Sequence, residues 1–115
     1  MISHDGIVHL FHIIIVGSLF LYVGIRQTKM PSFLYPFLLG LGIIIIIYHI
    51  YKVFQKIKSG KNPWVNYIHI LLVGPLLIYI GYNNKTTSRF YYELLLMLGF
   101  AAIGYHGYYM VIGNK

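Results

Sequence analysis

The sequence predicts an all-α fold: an integral membrane four-helix bundle made of two duplicated transmembrane hairpins. Three observations support this prediction. Of the 115 residues, 58% are hydrophobic and only 10% are charged, whereas about 25% charged residues is usual in soluble domains. The apolar residues fall into four runs of helix length. The second half of the chain repeats the first half at a constant offset.

The composition favours a membrane environment. A soluble domain of this size buries too little of its surface to hide so much apolar area. The net charge is +7, and the basic residues lie near the ends of the apolar runs, which is typical of proteins that contact anionic lipid headgroups. A nucleic-acid partner is not expected, because it would require basic residues clustered along one face. The chain has no cysteine, which excludes disulfides, thiolate metal sites and cysteine nucleophiles.

The four apolar runs predict four membrane-spanning helices. Each run has about 19–23 residues, enough for a helix to cross a hydrocarbon core of ~30 Å. Helix is the expected state because backbone groups in lipid must be satisfied internally. We expect the first run to be a retained helix rather than a cleaved signal, and Pro75 to kink the third helix. The runs are Ile7–Ile25, Phe33–Phe54, Trp64–Tyr82 and Phe90–Ile112.

An internal repeat relates the two halves of the chain. When residues 8–53 are laid on residues 65–110 at an offset of 57, 18 of 46 positions are identical without a gap. We therefore predict a single membrane domain, 1–115, with repeat 1 at about 7–55 and repeat 2 at about 64–112. Each repeat holds two spans, so both copies have the same orientation about an axis along the membrane normal. The matched polar and glycine positions include His12/His69, Gly17/Gly74, Gly24/Gly81, Gly42/Gly99, Tyr48/Tyr105 and His49/His106.

The topology follows from the even number of spans. Both termini are expected on one side of the membrane. That side carries five Lys residues and the opposite side carries four Lys and Arg residues. The positive-inside rule therefore leans towards cytoplasmic termini.

One histidine in each helix is predicted to lie at a common depth. His12 and His69 lie five residues into their helices, and His49 and His106 lie five or six residues before the ends of theirs. All four helix ends face one side, so the imidazoles lie about 8 Å below that interface. Polar side chains within a span usually face the bundle interior, and residues shared by the repeats form a bundle-seam pattern. In the second and fourth helices, called the even helices, the shared residues form one stripe along the helix. It is Tyr35, Leu38, Gly42, Ile46 and His49, matched by Tyr92, Leu95, Gly99, Ile103 and His106.

Several functions are compatible with this histidine layer. His12, His49, His69 and His106 suit haem b or a transition metal such as Zn or Cu as cofactor, with electron transfer or ligand handling as the role. A proton-sensing channel or transporter is another hypothesis, because imidazole titrates near neutral pH. The remaining alternative is a structural or scaffolding protein with no cofactor, which could form a homo-oligomer. In that case the histidines hold the helices in register with supporting tyrosines, namely Tyr48, Tyr51, Tyr105 and Tyr108.

An enzyme is not predicted. The sequence has no Ser-His-Asp set, no glycine-rich phosphate loop and no HExxH motif, which are the usual signals of catalytic sites. In its Ile-, Tyr-, Asn- and Lys-rich composition and its compact duplicated form, the chain resembles small uncharacterised four-helix membrane proteins of large DNA viruses that infect algae or amoebae. That resemblance implies a virion or host-derived membrane location and names no activity.

Overall fold

The computed structural model describes Ile7 and residues 10–112, and in this part of the chain it contains four long helices and no other regular structure apart from short turns. The predicted all-α class is confirmed. The N-terminal residues of the first predicted helix, 1–6 with 8 and 9, lie outside the described residues. Helix α1 comprises a π-helical stretch His12–Gly17 and an α-helical stretch Ser18–Arg26; α2 is Leu34–Lys58; α3 comprises Trp64–Ile68, a π-helical stretch His69–Val73 and Gly74–Asn83; α4 is Arg89–Ile112.

Three of the described helices are long and apolar enough to cross a membrane: Leu34–Lys58, Trp64–Thr86 and Arg89–Ile112. Helix α2 runs four residues past the predicted end at Phe54 because its lysines and glutamine are good helix formers. It ends in a Schellman motif, in which Gly60 adopts a left-handed φ of 73°. The Gly60 N–H donates to the Ile57 carbonyl at 3.2 Å, and the Lys61 N–H donates to the Lys56 carbonyl at 2.8 Å.

The chain forms two compact units, residues 1–27 with 92–115, and residues 28–91. The second unit pairs α2 with α3, and its core includes Tyr35, Leu38, Leu77 and Ile80, all fully buried. The helices approach closely at Gly81, where a Cβ would lie 2.5 Å from the Tyr35 carbonyl oxygen. Such contacts between small residues and backbone are typical of helix packing in membranes.

The first unit pairs α1 with α4. Its buried apolar residues include Phe20, Val23, Tyr92 and Leu95. Here the close approach is at Gly24, where a Cβ would lie 2.5 Å from the Cβ of Leu96. The predicted stripe is thus confirmed at its tyrosine and leucine positions in both even helices.

Two features of the odd helices recur in both units. Both α1 and α3 are followed directly by a non-glycine residue with positive φ, Gln27 at 51° and Asn84 at 57°, and this residue begins a 3-10 turn. Both also contain a π-helical stretch. Pro75, where a kink is predicted, lies two residues after the end of one π stretch, but α1 has a π stretch with Ser18 at the equivalent position. Proline is therefore not the common cause of the irregularity.

Candidate functional site: two stacked histidine pairs

The four predicted histidines meet two by two, each pair within one compact unit. His49 of α2 stacks on His69 of α3, with ring centroids 4.1 Å apart and an interplanar angle of 16°. His12 of α1 stacks on His106 of α4, with ring centroids 4.3 Å apart and an interplanar angle of 24°. Each pair therefore joins one odd helix to one even helix by face-to-face contact of imidazoles.

A π-helical stretch positions the odd-helix histidine of each pair. In both α1 and α3 the π stretch begins at the histidine itself, His12 or His69. The wider turn rotates the residues that follow, and π turns of this kind are frequent at functional sites. Neither π stretch follows from the apolar pattern of the sequence.

A glycine five residues after each of these histidines brings the even helix close. A Cβ at Gly17 would lie 2.6 Å from Cγ1 of Ile103, and a Cβ at Gly74 would contact Cγ1 of Ile46. Each isoleucine lies one turn before the histidine of its own helix. Because glycine lets the two backbones approach at this level, the imidazoles of the two helices can reach face contact.

Hydrogen bonds give the rings of the second unit different tautomers. The amide Nδ2 of Asn66 lies 2.7 Å from Nδ1 of His49, and because an amide NH₂ can only donate, this Nδ1 accepts and the proton of the neutral ring is on Nε2. Nδ1 of His69 lies 2.8 Å from the Val65 carbonyl oxygen, which can only accept, so this Nδ1 carries a proton. The Val65 carbonyl oxygen also accepts from the backbone N–H of His69, so it receives two bonds from the same residue.

Asn66 is a site residue that the sequence reasoning missed. Its side chain is only 4% exposed, and its Oδ1 is buried without a hydrogen-bond partner. A buried orphan acceptor of this kind has a cost of about 1–3 kcal/mol. A signal was present, since Asn66 is the only Asn or Gln within the four apolar runs.

Two of the four predicted supporting tyrosines contact the histidine pairs. Tyr48 and Tyr105 touch the neighbouring histidine edge-on, each with ring centroids 5.1 Å apart. Tyr48, Tyr51 and Tyr108 are exposed. The Tyr51 hydroxyl accepts a hydrogen bond of 2.9 Å from Gln55.

The stacked geometry bears on the predicted cofactors. In each pair the imidazole faces touch, so no macrocycle fits between the two rings, and a bis-histidine haem held within one unit does not fit this arrangement. Among Ile7 and residues 10–112, no group of three or more His, Asp or Glu side chains is arranged to hold a metal ion. A zinc site usually has at least three protein ligands.

Comparison with protein-family models, with curated proteins and with solved structures gives no match for this chain.

Proposed function

We propose that the protein is a multi-pass membrane scaffold built from a duplicated helical hairpin, in which each stacked histidine pair holds one odd helix against one even helix. The observation that carries the proposal is the recurrence of the same contacts at an offset of 57 residues. The stack of His12 on His106 in the first unit has its equivalent in the stack of His69 on His49 in the second.

Other contacts recur at the same offset. The close approach of Gly24 to Leu96 matches that of Gly81 to Leu39, where a Cβ would lie 2.5 and 2.7 Å from the leucine Cβ. The positive φ of Gln27 matches that of Asn84. These equivalences support the duplication, with the odd helix of each copy packed on the even helix of the other.

Exposed apolar side chains support insertion into a bilayer. Along α2, Ile44 is 63% exposed and Ile47 is 64% exposed, and in α3 Leu71 is 74% exposed. Soluble proteins rarely expose large contiguous apolar patches, whereas lipid-facing residues of membrane helices are apolar. The proposed location is a membrane, and the resemblance to viral membrane proteins stays a prediction.

A crosslinking experiment tests the helix pairing, and it benefits from a chain without cysteine. Cysteine pairs replace His12 with His106, or His49 with His69, and a protease site is inserted beside Gly60 in the turn between α2 and α3. In native membranes a short bis-thiol reagent should hold the two cleaved fragments together with similar efficiency for both pairs. Resistance to alkaline carbonate extraction reports membrane insertion separately.

A matched control pairs His49→Cys with Leu71→Cys. Leu71 lies two residues after His69 and is 74% exposed, so this pair should crosslink poorly. Equal crosslinking of the control and histidine positions, or none at either, would contradict the proposed pairing.

Proton sensing is a second candidate, favoured by the face contact of the imidazoles. Two positive charges 4.1 Å apart repel by roughly 4 kcal/mol at an effective dielectric constant of 20. Protonation of both rings therefore destabilises the stack. Stability of the wild-type protein should therefore fall on acidification, whereas a variant with Phe at all four histidine positions should show no such fall. A parallel pH dependence in the two proteins would exclude this function.

Cofactor binding by the four histidines is a separate proposal, which requires the stacked rings to move apart, and it has its own test. Protein purified from membranes of cells supplied with haem and metals should show a Soret band or stoichiometric Zn or Cu, and the signal should disappear in a His49→Ala, His106→Ala variant. Colourless, metal-free protein would exclude electron transfer or ligand handling at these histidines. No catalytic activity is proposed.

A further inference from the structure

Four lysines at the C-terminal end of α2 line one shallow pocket together with Gln55 and Ser59. These lysines, called the lysine cap below, are Lys52, Lys56, Lys58 and Lys61. The pocket lies within the second compact unit, at the end of the helix opposite to Leu34. It is separate from the histidine contacts.

The backbone of α2 and of the turn that follows it brings these lysine side chains close together. Lys52 and Lys56 are one helical turn apart, on the same face of α2. The Schellman turn at Gly60 then folds the chain back, so that the Lys61 N–H bonds to the Lys56 carbonyl at 2.8 Å. The Lys56 ammonium consequently lies within the electrostatic reach of both Lys52 and Lys61. Like charges at this spacing destabilise a helix unless an anion compensates them.

The second unit cannot supply that anion from its own sequence. Residues 28–91 contain no Asp and no Glu. An anion bound at these lysines would therefore come from outside this unit.

The surroundings of the lysine cap indicate which kind of anion fits. Exposed apolar side chains alternate with the lysines along α2, with Phe54 62% and Ile57 57% exposed. Trp64, 48% exposed, begins the next helix a few residues after Lys61. A phosphate beside the lysines and acyl chains beside the apolar rings would satisfy both surfaces at the level of the membrane interface.

We propose that the lysine cap is a binding site for the phosphate headgroup of an anionic lipid. This inference rests on the proposed membrane insertion. The lysines provide charge-assisted hydrogen bonds to phosphate oxygens, and the Ser59 hydroxyl and Gln55 amide add neutral donors at the same pocket.

Trp64 is the only tryptophan in the chain, so its fluorescence reports directly on lipids beside the lysine cap. The protein is reconstituted in phosphatidylcholine vesicles in which either a brominated phosphatidic acid or a brominated phosphatidylcholine is present at the same mole fraction. Quenching should indicate an enrichment of the anionic lipid of at least about fivefold, the factor that one lysine provides near an anionic surface. Quenching by neither brominated lipid would contradict membrane insertion itself, whereas equal quenching by both would contradict only the headgroup site.

Variants separate charge from fold. Replacing all four lysines of the cap with Gln should abolish the enrichment and leave quenching by brominated phosphatidylcholine unchanged. Replacing all four with Arg should preserve the enrichment. Lys29→Gln, at the exposed turn after α1, serves as the control for loss of a distant positive charge. This variant should also preserve the enrichment. An enrichment that survives the Gln variant overturns the proposal.

A last arm distinguishes a lipid from a free anion. Inorganic phosphate added at constant ionic strength should not displace the brominated phosphatidic acid, because the lipid also has apolar contacts. Displacement by inorganic phosphate at millimolar concentration would show a small-anion site and would overturn the assignment to lipid.

Discussion

His49 and His69 lie face to face, with ring centroids 4.1 Å apart and ring planes 16° apart, although 20 residues of chain separate them. A stacked aromatic pair of this kind stabilises a fold by about 0.5–1.5 kcal/mol beyond the burial of its area. We expect a double-mutant cycle with His49→Ala and His69→Ala to give a coupling energy of that size. The free energy of unfolding would be measured in mixed micelles of a mild detergent and dodecyl sulfate.

The control cycle combines His49→Ala with Tyr82→Ala. Tyr82 belongs to the same unit but is 79% exposed, and residues without shared contacts have additive effects within about 0.3–0.5 kcal/mol. A histidine cycle as additive as this control would show that the stack contributes no stability.

Hydrogen bonds predict the tautomers of His49 and His69. His49 should carry its proton on Nε2, because Nδ1 accepts from Asn66 at 2.7 Å, and His69 should carry one on Nδ1, which donates to the Val65 carbonyl. Long-range ¹⁵N–¹H correlation spectra of the protein in micelles at alkaline pH distinguish these forms. Replacing Asn66 with Leu should release the preference of His49 and leave that of His69 unchanged. The same tautomer on both rings of the wild-type protein would refute this bonding.

The sequence could predict the helices but not which helices stack. The lengths and apolar composition of the runs predicted helices α2 and α4. The repeated positions Tyr35 and Tyr92 correctly identified a buried face on each of them. Periodicity defines a face of a helix without naming the helix that covers it. The predicted layer of four histidines could therefore not specify that His12 meets His106 and that His49 meets His69.

The π-helical stretches and Asn66 show a second limit. A π stretch differs from an α stretch by one residue in its hydrogen-bond spacing, which helix propensity does not encode. Gly17 and Gly74, where a side chain of the even helix packs closely, lie at or just after the end of the π stretch in each unit. Asn66 was visible as an amide inside an apolar run, but its partner His49 lies 17 residues away. The chemistry of the residue could be predicted, and the contact could not.

Two glycines of the second unit predict opposite effects of a Gly→Ala substitution on stability. A Cβ at Gly81 would lie 2.5 Å from the Tyr35 carbonyl oxygen, whereas nothing lies within 4 Å of a Cβ at Gly40 in the same unit. Gly81→Ala should lower the free energy of unfolding by about 1–3 kcal/mol through overpacking. Gly40→Ala should raise it by up to about 1 kcal/mol, because alanine is the better helix former.

The first unit provides the same comparison. A Cβ at Gly24 would meet the backbone and Cβ of Leu96, and one at Gly104 would meet nothing within 4 Å. Gly24→Ala should therefore destabilise the protein about as much as Gly81→Ala does, and Gly104→Ala should behave like Gly40→Ala. Opposite signs for Gly24→Ala and Gly81→Ala, which occupy equivalent positions, would contradict the equivalence of the repeats. These unfolding measurements use the same mixed micelles.

Gln27 ends α1 with φ 51° and ψ −125°, a conformation that side chains with a Cβ rarely adopt. Holding such a residue there has a cost of about 1–3 kcal/mol, which glycine avoids. The Gln27 side chain also donates to the Gly24 carbonyl at 3.2 Å, so a single substitution would mix two effects. Comparing Gln27→Gly with Gln27→Ala removes the side-chain bond in both and isolates the backbone. The glycine variant should have the higher free energy of unfolding, by about 1–2 kcal/mol.

Asn84, with φ 57° and ψ −133° at the end of α3, should show the same order, with the glycine variant more stable than the alanine variant. If alanine equals glycine at either position, that turn does not adopt a left-handed conformation in the folded protein.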